Sequence, residues 1–117
     1  MKKRFWVNVM DIPREFVKIP GHEDYGINAY GEVKSFRRDI ILKPDSVNGY
    51  FRVTLGNEKL YIHKLVAEAF IPNPYNRPFV IHRDYDLSNN FFLNLQWATM
   101  SEVQRAHGRP VFNRYSL

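Results

Sequence analysis

The sequence contains no cysteine, so the chain can form neither a disulfide bond nor a thiolate metal site, which fits a reducing compartment. It also lacks any apolar run approaching the roughly 20 residues that a membrane-spanning helix needs. Residues 1–7 begin like a signal peptide, but Asn8, Asp11 and Pro13 interrupt the apolar stretch too early. We therefore expect a cytoplasmic protein that does not enter a membrane.

The chain does contain enough apolar residues to fold, together with an excess of basic ones. Of its 117 residues, 44% are hydrophobic and 15% are aromatic, which is typical of one globular domain and not of a disordered chain. Lysine and arginine number 17 against 12 acidic residues, giving a formal charge of +5. Such a surface suits a polyanion such as nucleic acid or an anionic membrane, and it is equally compatible with ordinary solvated charge.

The first half of the sequence is typical of short strands separated by turns. Alternating β-forming residues and turn residues predict one small antiparallel sheet over residues 25–62. The predicted strands lie at 25–27, 33–35, 40–42, 50–55 and 60–62. Glycines at 31 and 56 mark turns between them.

The second half predicts helix, strand, polar loop, strand and helix. A helix is expected over 63–70, with Leu65, Val66, Ala69 and Phe70 on one apolar face. Strands are expected at 79–82 and 95–97, with a polar stretch at 83–90 between them. Thr99 and Glu102 form a capping-box pattern, so a second helix should start there and end at Gly108.

His82 stands at the end of a predicted strand, directly before a loop rich in aspartate and asparagine. Hydrolysis of a phosphodiester needs a base to deprotonate water and a metal ion to neutralise the phosphate. A neutral imidazole can serve as that base near pH 7, and carboxylates or amides usually hold the metal. This combination of residue types favours a nuclease site.

Residues 81–97 read IHRDYDLSNNFFLNLQW, and here the chain resembles the HNH homing endonucleases of phages and group I introns. The family's ββα-metal motif typically reads Asp/Asn-His-x-Asp-Gly-x-x-x-Asn-Asn-x-x-x-Asn-Leu-x-Trp, followed by a helix. The upstream stretch HKLVAEAFIPNP and shorter motifs further upstream are also similar to the family, so that the resemblance covers about residues 14–107.

The resemblance implies an α+β fold, in which a small antiparallel sheet domain precedes a ββα-metal unit. The corresponding division places the small β-rich domain at 1–62, the HNH-like unit with its lead-in helix at 63–108, and a tail at 109–117. It also implies that His82 is the general base. By the same resemblance Asn94 braces the loop and does not contact substrate, Asn89 and Asn90 are loop braces too, and Asp84 is mainly structural.

Three positions depart from the family pattern. Ile81 and Val103 stand where the family has its two metal ligands, and neither has a donor atom. Tyr85 replaces the loop glycine at a position that favours a positive φ, so we expect the loop to be either strained or rebuilt there. We therefore expect no metal ligand at Ile81 or Val103. If the protein is active, Mg²⁺ or Mn²⁺ would need a rearranged site, for which Asp84 and His107 are the candidates.

Basic side chains are the candidates for contacts with DNA phosphates, which give salt-sensitive affinity and little sequence choice. Each of them is equally compatible with a solvated surface charge. His63 is expected to be a satisfied histidine at the start of a helix, and Trp97 is expected to belong to the core. The predicted DNA contacts are Lys34, Arg37, Arg38, Lys43, Arg52, Lys64, Arg83 and Arg105.

Three hypotheses follow. The first is a phage-encoded HNH-like protein that binds double-stranded DNA and is catalytically degenerate. The second is an active metal-dependent endonuclease or nickase in which His82 activates water. The third is a scaffold reused to bind a host or phage protein, with Tyr85, Phe91 and Phe92 as an aromatic anchor that is equally compatible with buried core. None of the three involves a membrane or a small-molecule substrate, and a phage protein would act in the host cytoplasm.

Overall fold

The computed structural model describes residues 12–107 of the chain, so the predicted tail at 109–117 and the cap at Gly108 lie outside the described residues. Nine strands, two α-helices and one 3₁₀-helix (Phe92–Asn94) follow one another in residues 12–107, and every strand pair is antiparallel. The α+β class predicted from the sequence is confirmed. No helix among the described residues is long and apolar enough to cross a membrane.

The first sheet has four strands in the order of the chain. They are β1 (Val17–Ile19), β2 (His22–Ile27), β3 (Val33–Ser35) and β4 (Ile40–Ile41). Gly31 lies in the turn between β2 and β3 with a φ of 86°, a conformation that glycine adopts without strain. A side chain there would meet Asn90 at 2.9 Å, so glycine lets this turn approach the loop that carries Asn90.

The second sheet contains β5 (Asp45–Val47), β6 (Tyr50–Leu55) and β7 (Glu58–Tyr61). The prediction of a single sheet over residues 25–62 is therefore wrong, because strands β4 and β5 do not pair with each other. Pro44 lies between them, and a proline restricts the preceding residue and cannot donate to a strand ladder. Strands β1 and β5 are additions to the predicted set.

Helix α1 (Ile62–Phe70) packs between these sheets and the C-terminal strands. Its buried residues are Ile62, Leu65, Val66 and Ala67, whereas Ala69 is exposed. The prediction that Ala69 belongs to the buried face is thus wrong. The helix is covered on more than one side, and its buried residues are centred nearer to Val66. One apolar cluster joins residues on both sides of position 62, and the proposed division into two domains stays a prediction.

The C-terminal unit is a hairpin followed by a helix. Strands β8 (Phe79–His82) and β9 (Leu95–Ala98) pair with His82 opposite Leu95, and α2 (Met100–His107) packs against both. The capping box forms as predicted: the Thr99 amide donates to Glu102 Oε1 over 2.8 Å, and the Glu102 amide donates to Thr99 Oγ1 over 3.3 Å. This unit places His82 at the end of β8, where the polar loop begins.

Candidate functional site

His82 is almost completely buried, with 3% of its surface exposed. Its Nε2 lies 2.8 Å from Asn90 Oδ1. Because an amide oxygen only accepts hydrogen bonds, this geometry places the proton of the neutral ring on Nε2 and makes Nδ1 the accepting nitrogen. An oriented imidazole of this tautomer has the form expected of a general base.

Asn90 is the partner that orients His82, a role that differs from the loop brace expected of it. It is 5% exposed, and the close approach of the turn at Gly31 helps to enclose it. The sequence contains two consecutive asparagines here, and nothing in the pattern indicates that Asn90 turns inward whereas Asn89 stays in the loop.

The loop between β8 and β9 is held together by hydrogen bonds that converge on Asp84. The carboxylate of Asp84 accepts from the Asp86 amide and from Asn94 Nδ2 through Oδ1, both over 2.9 Å, and from Asn89 Nδ2 through Oδ2 over 2.8 Å. The bond from Asn89 is the main cause that lowers the pKa of Asp84 below its usual value.

Asn94 connects the two ends of this loop. Its Oδ1 accepts from the Asp84 amide over 3.1 Å, its Nδ2 also donates to the Asn89 carbonyl over 2.8 Å, and its own carbonyl accepts from the Arg83 amide over 2.7 Å. The structure thus brings Asp84, Asn89 and Asn94 into one network. This network fixes the backbone of the residues that directly follow His82.

Tyr85 follows Asp84 with a φ of 62°, so the loop keeps the left-handed conformation although the family's glycine is replaced. Such a conformation costs a non-glycine residue about 1–2 kcal/mol. The side chain of Tyr85 is 70% exposed. The strain expected from the sequence is therefore present at this position.

Of the two positions expected to lack metal ligands, Ile81 lines the same cleft as His82, and Val103 lies on the helix that packs against β8. Ile81 precedes His82 on β8, Val103 lies on α2, and both are half-buried. A cleft of about 190 Å³ next to His82 is lined by Tyr50, Val80, Ile81, Tyr85, Leu87 and Ala106. Among the side chains that the structure describes, which exclude that of His107, no three histidine or acidic groups converge in an arrangement suited to a metal ion.

A divalent Mg²⁺ or Mn²⁺ ion takes oxygen-rich ligand sets, so the described residues of this cleft do not fit it. Asp84, one of the two candidates for a rearranged site, already accepts three hydrogen bonds within its loop. The other candidate, His107, is the last residue of α2, and its side chain lies outside the described part of the structure.

His63, the second residue of α1, belongs to a four-ring cluster formed by Tyr50, Tyr61, His63 and His82. The ring centroids of His63 and His82 are 5.1 Å apart, and those of His63 and Tyr50 are 5.3 Å apart. His63 Nδ1 is buried and has no hydrogen-bond partner among the described residues, so the prediction of a satisfied histidine is wrong. Burial first, and then the neighbouring His82, lower the pKa of His63 to about 4.

The remaining aromatic residues near the site are only partly buried. Trp97 is half-buried, and its Nε1 donates to the Ile71 carbonyl over 3.0 Å. Phe92 packs against the core, and Phe91 contacts both Phe92 and Tyr30. Of the three residues considered as a protein anchor, Tyr85 alone is exposed, and the hypothesis of a protein partner stays a prediction.

The basic residues predicted to contact DNA fall into two groups. Lys34, Arg37 and Arg52 pair with aspartates, at 3.0 Å, 3.9 Å and 3.1 Å respectively. The others form no ion pair within the part of the chain that the structure describes, namely Arg38, Lys43, Lys64, Arg83 and Arg105. Lys64 follows His63 and Arg83 follows His82, so one such cation adjoins each histidine of the cluster in sequence.

Two curated relatives are similar to most of this chain. It is 37% identical over 94 residues to the uncharacterized HNH endonuclease L245 of Acanthamoeba polyphaga mimivirus, an alignment covering 76% of the chain. It is 38% identical over 98 residues to the uncharacterized HNH endonuclease L247 of the same virus, covering 77% of the chain. The chain belongs to the HNH endonuclease family.

A solved structure supports the same assignment. The HNH homing endonuclease I-HmuI, described for its binding and cleavage of DNA, matches this HNH chain with a TM-score of 0.69 and 29% identity over 86% of the chain. No protein-family model matches. The alignments span 28% and 25% of the two viral relatives and 63% of the solved chain. The expected phage origin is not tested, since the two curated relatives come from a giant virus.

Proposed function

We propose that this HNH-family chain binds double-stranded DNA and that its hydrolytic activity is impaired, because the site keeps an oriented base and lacks a place for the metal ion. The observation that carries the proposal is the cleft beside His82. Its walls are the side chains of Val80, Ile81, Leu87 and Ala106, with two tyrosines.

DNA binding is supported by charge and by similarity. The chain carries a formal charge of +5, and several basic residues on the described surface form no ion pair with a neighbour within residues 12–107. The similar structure, I-HmuI, is a nuclease that binds and cleaves DNA. Cations of this kind release counterions when they contact phosphates, which makes the affinity depend steeply on salt.

An active nuclease is the second candidate, and the hydrogen bond between His82 and Asn90 favours it. A base that is held in one tautomer is what water activation requires. The difficulty lies with the metal, because the two family positions are aliphatic and Asp84 is occupied by its loop network.

Nicking of supercoiled plasmid in Mg²⁺ or Mn²⁺ separates the two candidates. We expect the native chain to show no metal-dependent nicking above background. The double variant Ile81→Asp with Val103→Asn should gain metal-dependent nicking, because it restores oxygen ligands at the two family positions while the base stays intact. Adding His82→Ala to that double variant should abolish the gain.

Metal-dependent nicking by the native chain that disappears in His82→Ala would establish the active enzyme and overturn the proposed impairment. A folded double variant that stays inactive would count against the view that only the ligands are missing.

The DNA-binding half of the proposal is tested by the salt dependence of affinity for a short duplex, measured by fluorescence anisotropy. Replacing Lys64 or Arg83 with alanine should reduce the slope of log affinity against log salt by about 1 for each phosphate that the variant no longer neutralises. Arg52→Ala is the matched control, since Arg52 is held by Asp45 through two hydrogen bonds and should change the slope less. Absence of any retention at low salt would refute DNA binding.

A further inference from the structure

Tyr85 is held in an unfavourable backbone conformation while its side chain is exposed. Its φ is 62°, and the other non-glycine residues with positive φ are Asp39, Asn48 and Asn76 among the described residues. Aspartate and asparagine tolerate this region, because their short polar side chains can hydrogen-bond locally, whereas a bulky aromatic residue does not. A strained, 70% exposed tyrosine therefore needs an explanation other than folding.

The turn that carries Tyr85 is held by hydrogen bonds. Its amide donates to the His82 carbonyl over 3.1 Å, and the preceding Asp84 is fixed by Asn89 and Asn94. The side chain is thus presented from a fixed backbone at the rim of the cleft beside His82. A ligand that contacts the Tyr85 ring would not need to order the backbone of that residue.

The chemistry of the cleft indicates which part of DNA it can accept. Aliphatic side chains, two tyrosines and His82 line it, so that polar and apolar atoms both face the cleft, and its volume of about 190 Å³ is of the order of one flat ring system. No lysine or arginine among the described residues lines it, so the cleft suits a nucleobase, with apolar faces and polar edges, better than a phosphate. Arg83, two residues before Tyr85, is exposed, and no acidic residue within residues 12–107 pairs with it.

We propose that Tyr85 inserts at a base step of bound DNA and stacks on a nucleobase at the mouth of this cleft, while Arg83 contacts a neighbouring phosphate. This inference rests on the proposed DNA binding and adds the group that the site would recognise. Apolar and aromatic wedges that unstack a base step are a known means of DNA recognition, and the cost of unstacking is offset by the added contacts.

The test compares Tyr85→Gly and Tyr85→Phe with the native chain, using a random-sequence duplex that contains 2-aminopurine. Insertion unstacks the probe, so the native chain and Tyr85→Phe should both raise its fluorescence. Tyr85→Gly should bind at least about fivefold more weakly, since it has no aromatic ring to stack on the base, and should leave the fluorescence at the level of free DNA.

Two controls keep the result specific. Tyr85→Gly relieves the left-handed strain, so its thermal midpoint should not fall below that of the native chain, and its weaker binding cannot be attributed to unfolding. Tyr75→Gly removes another tyrosine, 78% exposed, and should stay within about twofold of native affinity because Tyr75 does not line the cleft.

Native affinity and native fluorescence in Tyr85→Gly would overturn the inference while leaving DNA binding in place. Equal losses in Tyr75→Gly and Tyr85→Gly would also overturn it, since they would indicate a general effect of surface aromatics. Failure of the native chain to bind any duplex would instead refute the proposed function itself.

Discussion

His82 is contacted on one side by the polar loop and on the other by helix α1. The two sides differ in whether their polar groups are hydrogen-bonded. On the loop side, Asp84, Asn89, Asn90 and Asn94 all make hydrogen bonds, and one of these bonds ends on His82. On the helix side, His63 faces His82 at a ring-centroid distance of 5.1 Å, and its Nδ1 has no partner among the described residues. The loop side is therefore built to hold a base in place, whereas the helix side keeps a half-buried imidazole whose surroundings disfavour its protonation.

The two sides should respond differently to pH. The loop network stabilises the fold wherever the Asp84 carboxylate stays ionised, whereas His63 lowers stability as pH falls, because the folded protein disfavours its protonation. The two sides can therefore be separated by measuring stability as a function of pH and of substitution.

The largest effect is expected from His63 at low pH. The pKa of His63 is about 4 in the folded protein against an ordinary value of 6.5, so the unfolded chain binds the proton first as pH falls. Stability should therefore be lost progressively from pH 6.5 down to pH 4, and this group should contribute about 3 kcal/mol to the loss.

The measurement is urea unfolding of the native chain and of His63→Gln at the two ends of that range. Glutamine does not titrate, so the variant should become more stable relative to the native chain by about 3 kcal/mol as pH falls from 6.5 to 4. A stability difference that does not change with pH would show that His63 is not kept neutral by its surroundings.

A smaller effect is expected from the loop side. Asn94→Ala removes three side-chain hydrogen bonds, to the Asp84 amide, the Asp84 carboxylate and the Asn89 carbonyl. At about 1 kcal/mol for each bond, partly replaced by water at this half-exposed position, the free energy of unfolding should fall by about 2 kcal/mol.

The stability loss in Asn94→Ala is measured by urea unfolding at neutral pH. It should change little between pH 6.5 and pH 4, in contrast to the stability effect of His63. Asn57→Ala, in the exposed turn between β6 and β7, is the control and should change stability by less than about 0.5 kcal/mol. An Asn94→Ala variant as stable as this control would mean that the loop network adds nothing to the fold.

Much of the local structure follows from local pattern. Alternation and the capping box predict the hairpin strands around the polar loop and the start of α2, because these signals act over a few residues. The strained position at Tyr85 is also predictable, since backbone conformation in a tight turn depends on the turn itself.

Features that depend on distant residues do not follow from local pattern. The split into two sheets depends on which strands pair, and a chain of short strands does not specify this pairing. The burial of Ala67 in place of Ala69 depends on what covers α1 from several sides.

The sequence by itself determined the family motif around His82, the positions without metal ligands, and the excess of positive charge, because each of these is a matter of residue type and spacing. Tertiary structure alone decided that Asn90 orients His82, that His63 stands behind it with an unpaired nitrogen among the described residues, and that a cleft without carboxylates on its described walls opens beside the base. These contacts join residues from β6, α1, β8 and the loop that follows it. Only packing brings such segments into contact and removes their polar atoms from water.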